Sequence, residues 1–358
     1  MRLSGLDLLR IFAAVALMVA HAGFWLAPFG IADTTWMFLG HVSVELFLVA
    51  MGFLVAQHLF ATERKVPVLR SWARSVLRLW PLYLVLLVVN LMLLPAAEAR
   101  PDWAAYLFLT QNLAWPHPHF FGEAWIVAAA MLVLLIVPVL CRVLQPLRFV
   151  AGSAVLLGLL VMTTVLRGWL VMAGNPAFDE GVRKVLIMRL DLPVYAVLAA
   201  WLWVHRYEVI IRWRAALALL GGCILAATAW VHSSIPLDQS VSAGIFLFAL
   251  CDAAWLMLLP WVCALQVPER VASRLQVLAS SAFAGLLTYI TILRCASVLG
   301  VPLHATGKLQ GVLMLSSFIL LASGVAILVT LLLDRPLLAL RERWLPLSAD
   351  HRVPVAER

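Results

Sequence analysis

GLDLLRIFAAVALMVAH (residues 5–21) is an apolar run broken by three ionisable residues, Asp7, Arg10 and His21. With the apolar residues that follow, it is long enough to cross a bilayer, which takes about 20 mostly apolar residues. Its internal charges, its length and the absence of a small-residue cleavage site argue against a cleavable signal peptide. It reads as a retained first membrane helix. An ionisable group at the centre of such a helix costs on the order of 3 kcal/mol and marks a functional candidate.

The rest of the chain repeats the apolar pattern. Of its 358 residues, 64% are hydrophobic and 12% are charged; the mean hydropathy is +1.01. A soluble domain carries about 25% charged residues and about 45–50% apolar ones. These values exclude a soluble globular enzyme, a disordered chain and a nucleic-acid-binding domain. Apolar runs between polar, Pro or Gly breaks predict ten spans. They are residues 7–28, 39–60, 76–96, 124–144, 149–172, 188–205, 214–231, 241–265, 276–299 and 310–334. The split at 144–149 has only Gln145, Pro146 and Arg148 as punctuation. An interfacial helix is expected between Trp103 and Trp115. The expected fold is all-α: a polytopic membrane protein of ten transmembrane helices. Residues 1–345 form one transmembrane domain, and 346–358 a short cytoplasmic tail.

The net charge of +8 is explained by loop position. With the N-terminus in the cytoplasm, seventeen Lys and Arg fall in cytoplasmic segments. These include Arg2, Arg64, Lys65, Arg70, Arg74, Arg352 and Arg358. Only four, Arg100, Arg183, Lys184 and Lys308, fall in the opposite ones. That alternation follows the positive-inside rule and predicts both termini inside. The five cysteines lie in or beside apolar runs and form no C-x-x-C, which argues against disulfides and thiolate metal sites.

Arg10 and His21 share one face of the first helix. At 1.5 Å per residue they stand about 16 Å apart along its axis. Glu45 lies about 9 Å below the outer end of the second span, a depth similar to that of His21. Consecutive short-looped helices are usually neighbours, so Glu45 is expected beside His21. There a carboxylate would fix the tautomer of a general base and stabilise its imidazolium. The plainer reading is a buried polar pair that only orders helix packing, and His41 is a second partner for Glu45. On the cytoplasmic side Arg74 and Arg78, spaced i, i+4, share the depth of Arg10. Three guanidiniums at one level would grip phosphates; the plainer reading is anchoring by snorkelling side chains. Arg189, Asp191, Arg167 and Arg294 would line an outward polar cavity, while Asp252 has no evident partner. His117 and His119 lack further ligands at metal-binding spacing, so no metal site is expected.

Residues 5–21 resemble the opening of the acyltransferase 3 family of integral-membrane O-acyltransferases, with its Asp-x-x-Arg element and following His at Asp7, Arg10 and His21. SVELFLVAMGFLV (43–55) is similar to its second-helix motif through Glu45, Gly52 and Phe53, with Met51 where Ser is usual. RSVLRLWPLY (74–83) matches through Arg78, Pro81 and Tyr83, and TQNL (110–113), MRLD (188–191) and DRPL (334–337) resemble further elements. Two positions depart. After Trp125 the family's acidic position is Ala130, and Glu123, two turns earlier, is not expected to replace it. In SAFAGLLTYIT (281–291), Tyr289 stands near the usual His.

The resemblance implies transfer of an acyl group, most often acetyl, from cytoplasmic acyl-CoA to a hydroxyl of an envelope or exported glycan. The place implied is the bacterial inner membrane. Acyl-CoA is a co-substrate, with no bound cofactor. The partners are acyl-CoA, a glycan or lipid-linked saccharide acceptor and the lipid bilayer, with no nucleic acid. Donor phosphates fall to Arg10, Arg78 and Arg74, proton abstraction to His21 with Glu45, and acceptor binding to Arg189, Asp191 and Trp125. A non-enzymatic transporter or flippase and a degenerate acyltransferase-like scaffold stand as alternatives.

Overall fold

Ten helices among the described residues are long and apolar enough to cross a membrane. The structure is a computed structural model that describes residues 3–31, 33–62, 66–94, 101–302 and 304–345. Arg2, Arg64, Lys65, Arg100, Arg352, Arg358 and the 346–358 tail lie outside the described residues. No strand occurs among the described residues.

Helix α1 (Ser4–Ala22) continues through a 3-10 turn to Phe29 and is followed by α2 (Asp33–Ala61) and α3 (Val68–Met92). The short α4 (Trp103–Leu107) precedes α5 (Ala124–Leu144), α6 (Phe149–Gly174) and α7 (Asp191–His205). Another short helix, α8 (Tyr207–Arg212), leads to α9 (Arg214–Ser234), α10 (Val241–Cys263) and α11 (Glu269–Val298). Finally α12 (Lys308–Val329) runs through a π turn into α13 (Arg335–Trp344). The ten predicted spans coincide with the long helices, and the break between α5 and α6 falls where Gln145 to Arg148 placed it.

The differences are at the ends. Helix α3 starts at Val68, eight residues before the predicted span, and α11 starts at Glu269, seven before. These added turns mix charged and polar residues, such as Arg70, Ser71, Arg74, Glu269, Arg270 and Arg274, with apolar ones, which lowers their hydropathy while backbone hydrogen bonding continues. The helix expected from Trp103 to Trp115 is only α4. Asp102 caps it, accepting from the N–H groups of Ala104 and Ala105 at 3.1 and 3.3 Å. The left-handed backbone of Leu109, φ 58°, then ends the helical path.

Helices α2, α5, α7 and α11 form the buried centre; α6, α9 and α12 present mostly exposed apolar side chains, as lipid-facing helices do. Close packing is set locally by small residues. A Cβ on Gly5 would lie 1.8 Å from the Val262 carbonyl oxygen, so only glycine lets α1 meet α10 there.

A buried ion network ties four helices and corrects the sequence reading of Glu45, Arg189 and Asp191. The Arg189 guanidinium forks onto Glu45, both contacts at 2.6 Å, and reaches Asp252 at 2.9 Å. Arg167 meets Asp191 at 2.9 Å and donates to the Met188 carbonyl at 3.1 Å. None of these five side chains is more than 1% exposed. Arg189 and Asp191 therefore do not line an acceptor cavity, Asp252 does have a partner, and Glu45 is not beside His21. The reason is helical phase. Gly40 packs on Ala20 and His21, and Glu45, five residues further, points about 140° away from that face. Matching depth does not imply a matching face.

Because Arg189 serves two carboxylates, Arg189→Ala leaves both unpaired in a low-dielectric interior. The expected loss is about 3–5 kcal/mol. Asp252→Asn, which removes one single-pronged contact, should cost much less. Melting of the detergent-solubilised variants, followed by size-exclusion chromatography, checks this ordering.

Candidate active site

His21 occupies the last turn of α1 and faces a cavity of about 220 Å³. Its Nδ1 lies 3.2 Å from the Leu17 carbonyl oxygen one turn back. A carbonyl only accepts, so Nδ1 carries a proton in this contact. The helix backbone, rather than a carboxylate, sets this tautomer. Nε2 stands 3.6 Å from Oε1 of Glu123. Glu123 is buried at the start of α5 and accepts a hydrogen bond from the Tyr289 hydroxyl of α11. The Tyr289 and His21 rings are 5.1 Å apart between centroids.

This corrects the expected partner of His21, which is Glu123 and not Glu45. Glu123 thus stands beside His21, two turns from the Ala130 position where the acidic residue is missing. His21 closes the last turn of α1 and Glu123 opens α5, so the two meet at one depth. Ala130 lies two turns deeper and is fully buried in apolar packing. A helix N-terminus also favours a carboxylate. Tyr289, read only as a departure, supplies the hydroxyl that holds Glu123. His41 is not a partner of Glu45 either. It lies 3.3 Å from His232 and 3.5 Å from Asp179.

Trp125, Arg183, Lys184, His119 and Arg294 complete the cavity wall. Trp125 is thus the one expected acceptor residue that faces it, with the Arg183 guanidinium 4.5 Å from its ring centre. The segment carrying Arg183 and Lys184 is pinned by Asn112 of the TQNL element. The Asn112 side chain donates to the Lys184 carbonyl, and the Asn112 backbone carbonyl accepts from Leu186 N–H at 2.9 Å. Asp179 binds Arg183 at 2.5 Å and Lys184 at 2.7 Å. Burial opposes its ionisation, yet Arg183 with His41 and Lys184 holds the Asp179 carboxyl well below the usual range. Among the described residues no group of three or more His, Cys, Asp or Glu is disposed to hold a metal.

The Arg10 end of α1 opens on two adjoining cavities of about 400 and 330 Å³. Arg10 and Arg78 line both. Arg78 forms no ion pair within 4 Å among the described residues, while Arg10 lies 3.8 Å from Asp7. Arg74 touches the smaller cavity, but its guanidinium is engaged by Glu342 at 2.5 Å and by the Leu345 carbonyl. It ties α3 to α13 while sharing the smaller cavity with Arg10 and Arg78. Arg335, beside Asp334 of the DRPL element, lines the larger cavity instead. On α2, Val44 borders the His21 cavity and Phe47 the Arg10 cavity. Three residues of helix separate them, about 4.5 Å of rise. Phe47 stacks on Phe283 of α11 at 6.2 Å between centroids.

Ten membrane-length helices with ionisable clusters at two depths define an integral membrane protein. The family model described as an acyltransferase domain matches residues 3–335, nearly the whole chain. The protein belongs to the acyltransferase 3 family and is an acyltransferase by that membership. No curated protein and no solved structure matches it.

His117, in the loop that delivers Glu123, is buried and donates from Nε2 to the Phe121 carbonyl at 3.1 Å. Burial pushes its pKa down to about 4. The folded loop thus favours neutral His117. Its contribution is complete above the ordinary value near 6.5 and is lost as pH falls toward 4. Acidification over that window should loosen residues 108–123, and His117→Phe should remove the dependence. Hydrogen exchange of that loop, corrected for intrinsic pH effects, tests this.

Proposed function

We propose that the protein moves an acyl group, acetyl foremost, from acyl-CoA to a hydroxyl of an envelope or exported glycan. The single observation behind this reading is that one helix, α1, carries a base at one end and a phosphate-type cation at the other, each facing a cavity. In this reading the Arg10 end faces the cytoplasm, the side favoured by the Lys and Arg distribution, and the membrane is a bacterial inner membrane. Arg10, Arg78 and Arg335 would hold the donor's phosphates, since guanidiniums pair with phosphate oxygens bidentately. The donor's arm would extend past Phe47 and Phe283 toward His21.

At that end Nε2 of His21 takes the proton of the acceptor hydroxyl as its oxygen attacks the thioester carbonyl. The C–O bond forms, the C–S bond breaks, and the leaving thiolate is protonated by the His21 imidazolium, which restores the neutral base. While the imidazolium lasts, its Nε2–H faces Glu123, whose negative charge offsets it. Tyr289 keeps that carboxylate in place. General-base catalysis of this kind contributes about 10²–10⁴ in rate.

Membranes containing the protein should incorporate label from radiolabelled acetyl-CoA into glycan. His21→Ala should lower incorporation by about 10²–10⁴ at matched protein level. Glu123→Gln should lower kcat with little change in the KM for donor, and Arg78→Ala should raise that KM. Unchanged incorporation in His21→Ala would remove the proposed base. A transporter reading instead predicts glycan movement across vesicles that survives His21→Ala.

A further inference from the structure

We infer that the acceptor is an anionic saccharide, and that its carboxylate or phosphate seats on Arg294. This rests on the proposed reading of the His21 cavity as the acceptor site. Three Lys and Arg side chains line that cavity, and two are already engaged: Arg183 by Asp179, and Lys184 by Asp179 and by Glu180 at 2.6 Å. Glu123, the carboxylate in the wall, takes the Tyr289 hydroxyl and faces His21.

Arg294 differs. Among the described residues no carboxylate lies within 4 Å of it. One guanidinium nitrogen donates to Oδ1 of Asn90 at 3.2 Å, and the Phe120 ring lies 6.0 Å away. Asn90 is fully buried and locked, donating to the Leu86 carbonyl and to the Thr291 hydroxyl, each at 2.9 Å. The amide oxygen is thereby fixed toward Arg294, and the guanidinium is aimed by one corner with its other nitrogens available to the cavity. Arg294 lies one turn from the end of α11 and faces the cavity, so an arriving anion gains a charge-assisted pair there. The planar fork suits a carboxylate or phosphate. The anion is not the donor's own, because the cluster proposed for the donor's phosphates lies at the other end of α1, about 16 Å away.

The test is chemical protection of Arg294. The full-length protein in phosphatidylcholine vesicles is treated with phenylglyoxal, and modification of Arg294 is followed by peptide mass spectrometry. Separate arms contain sodium glucuronate, glucose 6-phosphate, glucose, or added phosphatidylglycerol. Glucuronate or glucose 6-phosphate should slow modification of Arg294 several-fold, and glucose should not; whichever protects identifies the anion. Failure of both anions overturns the inference, as does equal protection by glucose. Protection by phosphatidylglycerol alone would make the seat a lipid contact and equally overturn it. The readout needs no acyl transfer. Protection without acetyl incorporation would therefore sink the proposed function while keeping the anion seat, and the reverse result would sink only the seat.

Discussion

Arg189 joins α2 and α10 from the entrance to α7 by placing one guanidinium between Glu45 and Asp252, with Arg167 and Asp191 extending the cluster to α6. In a lipid-surrounded bundle, apolar side chains gain little by leaving lipid for one another. Polar cross-links therefore carry a larger share of the burden of choosing which helices meet. This one is buried, and each of its five side chains meets an opposite charge. It sets the rotation of α2, and that rotation decides what faces the His21 cavity. With Glu45 turned toward Arg189, the same helix lines the His21 cavity with Gly40, His41 and Val44.

Rotation of α2 also explains why the acidic partner of His21 comes from elsewhere. Helix α5 begins at the depth where α1 ends, and Glu123 arrives there with an open helix N-terminus behind it. The arrangement differs from the usual carboxylate–imidazole order. Leu17 holds the Nδ1 proton, and Glu123 faces the nitrogen that would collect the substrate's proton. In the proposed reaction Glu123 would stabilise charge once formed rather than orient the ring beforehand. Tyr289 makes this workable by holding a carboxylate buried from solvent.

The fold was largely legible from composition. Ten spans, their order and the narrow break between α5 and α6 follow from apolar length, which is a one-dimensional property. The site was legible in part. Arg10, Arg78 and His21 stand out because charge in an apolar run is expensive wherever it points. Glu123 and Tyr289 carry no such signal: a Glu before a helix and a Tyr within one are ordinary. The errors at Glu45, Arg189 and Asp191 share one origin. Depth is readable from residue counting at 1.5 Å per residue, but azimuth relative to a neighbouring helix is not, because it depends on how both helices are rotated. The ion pair of Arg74 was hidden for another reason: its partner Glu342 is 268 positions away in sequence.

By itself the sequence determined that this chain is a ten-helix membrane protein, that α1 carries charge at both ends, and that its motifs are those of a membrane acyltransferase family. The tertiary structure alone decided which carboxylate meets which cation. Burial energies depend on counts of apolar residues along the chain. Ion pairing depends on separations of a few ångströms between side chains, and those exist only once the helices have taken their rotations.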